Sequence, residues 1–203
     1  MSLAESKVPS TTGTVTVASL AKQWADKNPG QIAMREKYRG VWREYSWGET
    51  WRLVEDAAHG LIALGVDVGD RVSIHSEDRP EWVLLDLAAV AARGITVGLY
   101  PTNPAAEVEY LLADSRATVH LAEDQEQYDK VVESNPDYVR SVQKIIYVEP
   151  RGFGDYDDDR LIHWDDFLEL GRRHKAEFPD AVARRMAEAE EGDVMTLVYT
   201  SGT

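Results

Sequence analysis

Short runs of β-branched and aliphatic residues alternate with helical segments along most of the chain, and this alternation limits the possible folds more than any other feature. Parallel strands need a crossover helix between them, because a tight turn joins only antiparallel strands. The main runs are predicted as strands at 71–75, 95–100, 117–121, 144–148 and 194–199. The sequence therefore predicts an α/β fold with a mostly parallel sheet covered by helices.

The N-terminal part of the chain differs from this alternating pattern. Residues 1–17 are polar and are predicted as a flexible tail, which leaves residues 18–203 as an α/β domain. Two aromatic and β-branched runs, 32–37 and 41–45, flank a short turn and are predicted as a small hairpin. The hairpin is expected to precede the parallel sheet.

Several helix ends are marked in the sequence. Ser46 and Glu49 fit a capping box, in which each side chain accepts from the other residue's backbone N–H. Gly65 stands where the same helix needs a left-handed terminating residue. Asn103 and Pro104 are predicted to cap a later helix. These signals place helices directly after strands.

Three polar features are predicted to be structural. His59 lies within a helical pattern without a second ligand type beside it, so we expect a packed or surface histidine. Residues 151–160 lack the glycine and glutamate spacing of an EF-hand and are predicted as a solvated loop. Residues 181–191 alternate arginine with glutamate and are predicted as an exposed helix.

Composition excludes some classes of function. The net charge of −14 argues against a broad nucleic-acid footprint. The chain has no cysteine, which excludes disulfides and thiolate metal sites and fits a cytoplasmic protein. The apolar stretch 82–100 contains Asp86 and Arg93, so it is predicted as protein core rather than as a transmembrane segment.

Ligands of open α/β sheets bind at the carboxyl ends of the strands, and two loops there stand out. One is 98–104, where a strand gives way to a helix. The other follows the apolar run 194–199, which is predicted as a short buried strand, and contains Thr200, Ser201, Gly202 and Thr203. Small residues with hydroxyls and free N–H groups suit a phosphate, although an ordinary turn has the same composition.

Five segments, taken in order, resemble the N-terminal part of the AMP-forming adenylating enzymes, the superfamily of acyl-CoA synthetases, luciferases and peptide-synthetase adenylation domains. The stretch from Tyr100 to Ser115 is most similar to long-chain fatty acyl-CoA synthetases. The five segments are 46–49, 65–72, 81–86, 100–115 and 199–203.

The resemblance implies that a carboxylate attacks the α-phosphate of ATP to give an acyl-adenylate, and that the thiol of coenzyme A then displaces AMP. It implies that Thr200, Ser201, Gly202 and Thr203 bind the ATP phosphates. The loop lysine, the magnesium-binding glutamate and a mobile C-terminal domain would follow Thr203. We therefore expect a chain truncated inside the phosphate loop, with no catalytic residue or metal ligand of its own.

For the full-length enzyme the resemblance implies fatty acid, ATP, Mg²⁺ and coenzyme A as ligands, with none bound tightly by this chain alone. Peripheral membrane association and self-association through the truncated sheet edge are further expectations, and no nucleic-acid partner is expected. Two alternatives stay open. One is a stand-alone, non-catalytic α/β interaction module, and the other is part of an aryl-CoA ligase or a peptide-synthetase adenylation domain.

Overall fold

The computed structural model describes residues 14–200 and contains a six-stranded sheet and a separate two-stranded sheet. Most of the predicted tail, and Ser201, Gly202 and Thr203 of the predicted phosphate loop, lie outside the described residues. The first helix already begins at Val17, within the range predicted as tail. Its capping box is formed by Thr16 and Ser19.

The large sheet confirms the predicted α/β class. Its strand order is β7-β6-β5-β3-β4-β8, and every neighbouring pair is parallel. The strands are β3 (Arg71–His75), β4 (Ile95–Leu99), β5 (Val119–Ala122), β6 (Lys144–Tyr147), β7 (Leu161–His163) and β8 (Thr196–Leu197).

The central strand, β3, is buried along nearly its whole length. Val72 pairs with Thr96 of β4 on one side and with Val119 of β5 on the other. Ser73 and His75, the polar residues that alternate with its aliphatic ones, have no exposed surface. A strand covered on both faces must satisfy such side chains within the protein.

Helices cover both faces of this sheet. One face packs against α1, α2, α3, α7 and α8, and the other packs against α4, α5 and α6. The helices are α1 (Val17–Lys27), α2 (Trp47–Ala63), α3 (Pro80–Ala91), α4 (Ala105–Ser115), α5 (Gln125–Glu133), α6 (Pro136–Val139), α7 (Trp164–Glu177) and α8 (Ala181–Ala187).

The predicted ends of α2 are confirmed. The Glu49 N–H donates to Ser46 Oγ over 3.2 Å, and the Ser46 N–H donates to Glu49 Oε2 over 2.9 Å. Gly65, just after the helix, has a φ of +90°, which glycine adopts without the strain of a side chain.

The predicted hairpin is also confirmed. Its strands, β1 (Ile32–Tyr38) and β2 (Val41–Ser46), pair antiparallel and form the two-stranded sheet. Arg39 and Gly40 join them, with φ angles of +48° and +83°. A two-residue turn with both φ angles positive matches the twist of the flanking strands.

The last predicted strand is wrong in length and in burial. Only Thr196 and Leu197 pair with β4, at the edge of the sheet, and Val198 is 77% exposed. Asn103 does not cap α4, because Pro104 is the N-cap and no side chain accepts a hydrogen bond there. The short strand β7 was not predicted.

Two segments predicted as exposed are partly packed. In the loop 151–160, Phe153 is buried and the Tyr156 hydroxyl bonds to Asp129. The helix predicted over 181–191 ends at Ala187, and its Arg185 donates to the backbone oxygens of Val66 and Ala92, in the turns after α2 and α3. Apolar or amphipathic residues within charged segments provide this packing.

The apolar stretch 82–100 is divided between α3 and β4 by a turn at residues 92–94. Within residues 14–200, no helix has the length and apolar character needed to cross a membrane. The predicted assignment of this stretch to the protein core is confirmed by the burial of most of its side chains.

Gly171 of α7 permits the close contact between α7 and α2. A Cβ atom at this position would overlap the backbone oxygen of Asp56. We therefore expect Gly171→Ala to lower the free energy of unfolding by about 3 kcal/mol, because backbone cannot move aside as a flexible side chain can. Urea denaturation followed by circular dichroism measures this change.

Gly154→Ala is the matched control, since a Cβ atom there meets nothing within 4 Å and the φ angle is not positive. Its stability should stay within about 0.5 kcal/mol of the parent chain. Equal stabilities of the two variants would contradict the packing of α7 on α2.

Candidate active site

The loops that follow β3, β4 and β8 leave the same edge of the sheet and enclose two cavities. One cavity, of about 400 Å³, lies beside α3 between Trp82, Gly98, Tyr100 and Val198. The other, of about 490 Å³, lies beside α4, and Thr200 lines it. The loop after β4 and Thr200, the first residue of the second loop singled out in the sequence, are therefore brought together.

Gly98 of β4 lines both cavities. A Cβ atom at Gly98 would lie 3.6 Å from Cζ2 of Trp82, which is ordinary van der Waals contact. A methyl group therefore fits this space, whereas a longer side chain would occupy the cavity beside α3. The indole of Trp82 and the exposed rings of Tyr100 and Tyr110 give the walls an aromatic character.

The loop after β4 is fixed by three donors. His75 Nε2 lies 3.1 Å from the backbone oxygen of Tyr100, and the Asn103 N–H donates to the same oxygen over 2.9 Å. Lys130 Nζ donates to the backbone oxygen of Pro101 over 2.6 Å. The loop therefore has a defined shape, held from β3 and from α5.

His75 is neutral in this arrangement. Its side chain has no exposed surface, and burial, with a smaller contribution from the Lys130 ammonium, lowers its pKa to about 4. A neutral imidazole that donates from Nε2 leaves Nδ1 as an acceptor, and Nδ1 has no partner among the described residues. The tautomer is assigned from this hydrogen bond.

A second buried histidine lies beside His75. The ring centroids of His75 and His120 are 5.8 Å apart, and His120 Nδ1 lies 2.8 Å from Ser73 Oγ. Complete burial holds the pKa of His120 well below its usual range. Both buried imidazoles beneath the loop after β4 are therefore uncharged.

The loop after β3 is joined to the loop after β5. Glu123 accepts from the Glu77 N–H over 2.7 Å and from Arg79 Nη1 over 3.3 Å. Arg79 also bonds to Glu81 over 3.1 Å, so its charge is neutralised. These contacts hold the first turn of α3, and with it Trp82, against the site.

Tyr199 positions the start of the predicted phosphate loop. Its hydroxyl donates to Asp114 Oδ2 over 2.7 Å, and its ring packs edge-to-face on Tyr110. Burial and the Asp114 carboxylate raise the pKa of Tyr199 to about 12, which keeps the hydroxyl protonated. Thr200 follows directly and is exposed.

Other residues of the sequence prediction have different places. Asp86 lies one turn below Trp82 on α3, and burial raises its pKa. His59 packs against His174 between α2 and α7, as expected for a structural histidine. Within residues 14–200, no three histidine or carboxylate side chains are arranged to hold a metal ion.

Sequence reasoning missed the residues that hold the loops in place. His75, Lys130, Arg79 and Glu123 lie in different parts of the chain, and their contacts depend on strand order and register. A buried-strand pattern that contains a histidine, as at His75, was the available signal. Such a side chain must find a partner inside the protein.

Comparison with known proteins defines the class to which this fold and site belong. The family model described as AMP-binding enzyme matches residues 21–203. The chain therefore belongs to the AMP-binding enzyme family, and the resemblance predicted from the sequence is confirmed.

Among curated proteins, the long-chain-fatty-acid–CoA ligase FadD15 of Mycobacterium tuberculosis is 33% identical over 187 residues, which cover 92% of this chain and 29% of the relative. The human long-chain-fatty-acid–CoA ligase ACSBG2 is 28% identical over 173 residues, which cover 84% of this chain and 25% of the relative. The chain thus spans less than a third of the length of these relatives.

Solved structures agree in fold. An anthranilate CoA ligase, AuaEII, in complex with anthranoyl-AMP has a TM-score of 0.72 at 21% identity, over 91% of this chain and 32% of the other. A fatty acyl CoA synthetase of Mycobacterium tuberculosis has a TM-score of 0.68 at 20% identity, again over 91% and 32%. At these identities the likeness establishes the α/β fold alone.

Acidification is expected to destabilise the chain through His75. The unfolded chain binds a proton at His75 with a pKa of 6.5, whereas the folded chain does so only near pH 4. Between these values the unfolded state binds more protons, so stability falls as the pH falls from 6.5 to 4. The shift corresponds to about 3 kcal/mol from this residue.

His75→Gln is the test variant, because its amide can still donate to Tyr100 and cannot titrate. Urea denaturation at pH 7, 5.5 and 4 compares it with the parent chain. Other titrating groups, including His59 and His120, contribute to both curves and cancel in the difference. We expect the stability advantage of the parent to shrink by about 3 kcal/mol from pH 7 to pH 4; parallel curves would contradict the buried, neutral His75.

Proposed function

We propose that this chain is the N-terminal part of an ATP-dependent long-chain fatty acid–CoA ligase. The observation that carries the proposal is the position of Thr200 in a chain of the AMP-binding family. Thr200 follows the carboxyl end of β8 by three residues and lines the cavity beside α4. The names of the curated relatives favour a fatty acid over other carboxylates. The greater length of these relatives supports the proposal that this chain is part of a longer protein.

In the proposed reaction, a fatty acid carboxylate attacks the α-phosphate of ATP, forming an acyl-adenylate and releasing pyrophosphate. The thiol of coenzyme A then attacks the acyl carbon and displaces AMP. The hydroxyl of Thr200 and the backbone N–H groups of Ser201, Gly202 and Thr203 donate to phosphate oxygens. Charge develops on those oxygens, so oriented donors stabilise the transition state.

The residues around the cavity beside α3 are proposed to form one wall of the path taken by the acyl chain or by coenzyme A. Trp82, Gly98, Tyr100 and Val198 give this cavity an apolar surface, and the absence of a side chain at Gly98 keeps it open. The apolar part of this lining suits an acyl chain or a pantetheine arm, and Glu77 and Asp78 complete the lining. The contacts from His75 and Lys130 keep the shape of this wall constant.

The described walls of the two cavities carry no positive charge. Glu77 and Asp78 line the cavity beside α3, and Glu107 lines the cavity beside α4, while no lysine or arginine lines either. A triphosphate in this setting needs cations from elsewhere in the proposed enzyme. Magnesium is expected for the whole enzyme, and the described residues contain no group of three histidine or carboxylate side chains that could hold it.

Pyrophosphate exchange tests the proposed function. We expect no exchange and only millimolar or weaker ATP binding by the 203-residue chain, because its cavity walls are acidic. The chain continued to the length of its relatives should exchange pyrophosphate in the presence of long-chain fatty acids and not of aryl or amino acids. Clear turnover by the 203 residues alone, or no turnover by the longer chain with any acid, would contradict the proposal.

Paired variants at Gly98 sharpen this experiment in the longer chain. Gly98→Leu should raise the KM for the acyl substrate or coenzyme A at least tenfold, since the side chain would fill the cavity beside Trp82. Gly98→Ala is the control and should change it little, because a methyl group meets Trp82 at 3.6 Å. Equal kinetics for the two variants would remove this cavity from the proposed path.

We also propose a cytoplasmic enzyme with peripheral membrane association. Each methylene of a fatty acid favours an apolar phase by about 0.8 kcal/mol, so a long-chain substrate is concentrated in membranes. An enzyme that contacts the bilayer meets its substrate where that substrate is abundant.

The outer edge of β8 is a proposed self-association surface of this chain. β8 is the last strand on its side of the sheet, and Val194 and Val198 near it are 53% and 77% exposed. Exposed edges with apolar side chains pair readily with other chains. Light scattering should find dimers or larger species, and Val198→Lys should reduce them; a monodisperse monomer of the parent chain would count against this surface.

A further inference from the structure

The end of the hairpin carries an unusual concentration of positive charge. The segment Lys37–Arg43, called here the hairpin tip, contains Lys37, Arg39 and Arg43 and no carboxylate, within a chain of net charge −14. Arg39 and Gly40 form the turn itself. The tip is therefore a local cationic feature on an acidic protein.

The hairpin tip also exposes apolar side chains. Val41 is 67% exposed and Trp42 is 62% exposed. Among the described residues, the other large apolar side chains above 60% exposure are Tyr100, Tyr110 and Val198, which line the candidate site. Adjacent exposed valine and tryptophan residues away from a ligand site mark an interaction surface.

The cations of the tip are only partly balanced within the protein, because Glu36 lies directly opposite Arg43 in the antiparallel pair but beyond salt-bridge distance. Across residues 14–200, no carboxylate lies within salt-bridge distance of Lys37, Arg39 or Arg43. Arg43 instead stacks over Tyr38, with its guanidinium carbon 4.1 Å from the ring centroid. A guanidinium on an aromatic face keeps its N–H donors available to an outside acceptor.

Strand register places cation and tryptophan together. Lys37 lies directly opposite Trp42 in the antiparallel pair, and residues that face each other in this way extend from the same side of the sheet. Arg35 and Glu44, two residues further from the turn, form an ion pair over 2.8 Å. The cationic and apolar residues are therefore confined to the tip. Lys37 and Trp42 share one face of it, while Val41 and Arg43, which flank Trp42, lie on the other.

We propose that the hairpin tip docks onto an anionic bilayer surface. Trp42 and Val41 would enter the interface between headgroups and acyl chains, where tryptophan is favoured, while the three cations contact lipid phosphates. A nucleic acid would take up the charges but would leave Val41 in water. The acidic remainder of the protein would be repelled from the same membrane, which orients the tip toward it.

This inference names the surface for the membrane association proposed above and rests on that proposal. Binding of the chain to phosphatidylcholine vesicles containing phosphatidylglycerol tests it without substrate or turnover, so its failure is separate from failure of the ligase proposal. We expect co-sedimentation and a blue shift of tryptophan fluorescence that weaken as salt rises. The variant K37Q/R39N/R43Q should bind roughly 100-fold more weakly, since each cation near the surface contributes about fivefold.

Asparagine is chosen at position 39 because it tolerates the positive φ angle of Arg39. A matched control, R52Q/R140Q/R173Q, removes three exposed cations outside the tip. It should bind anionic vesicles at least tenfold more tightly than K37Q/R39N/R43Q does. Trp42→Ser should abolish most of the fluorescence shift, and equal far-ultraviolet dichroism of all variants shows that they fold.

Three results would overturn the inference. The first is equal vesicle binding by the tip variant and the control variant. The second is equal binding to vesicles with and without phosphatidylglycerol, which would remove the role of charge. The third is binding to soluble heparin through the tip with no binding to anionic vesicles, which would assign the tip to a soluble polyanion.

Discussion

The parallel pairing of β3 with β4 on one side and with β5 on the other determines how the loops after these strands contact one another. Because β3 is buried on both faces, the imidazole of His75 can only be satisfied inside the protein, and it bonds to the loop after the neighbouring strand. Glu123, at the end of β5, bonds back to the loop after β3. The register of the sheet thus determines which loops contact each other, and these contacts fix the walls of both cavities.

The described part of the site is neutral or acidic, so it can shape a ligand pocket but cannot neutralise an anionic ligand. The buried histidines are held uncharged, Arg79 is neutralised by Glu81 and Glu123, and Lys130 is directed at a backbone oxygen. Such walls can orient an acyl group and present the hydroxyl of Thr200. In the proposed ligase, Thr200 and the three residues after it would donate hydrogen bonds to the phosphates, and the cations that balance the phosphate charge would come from outside these walls.

Local signals predicted local structure well. Ser46 and Glu49 form the predicted capping box, and the strand and helix alternation gave the correct fold class, because hydrogen bonds close in sequence and hydrophobic periodicity decide both. The exposure of residues 194–199 could not be predicted from the sequence, because an apolar run looks the same whether its strand lies at the edge or in the centre of a sheet. The bond between His75 and Tyr100 joins residues 25 positions apart and depends on register, which composition does not specify.

A crystal structure of the chain continued to the length of its relatives, with a non-hydrolysable ATP analogue, tests the central claim most directly. The predicted result is an analogue whose phosphates accept hydrogen bonds from Thr200 and the three residues after it, beside the cavities lined by Gly98. An analogue bound at another edge of the sheet, with Thr200 making no phosphate contact, would contradict the assignment of this loop and with it the proposed function.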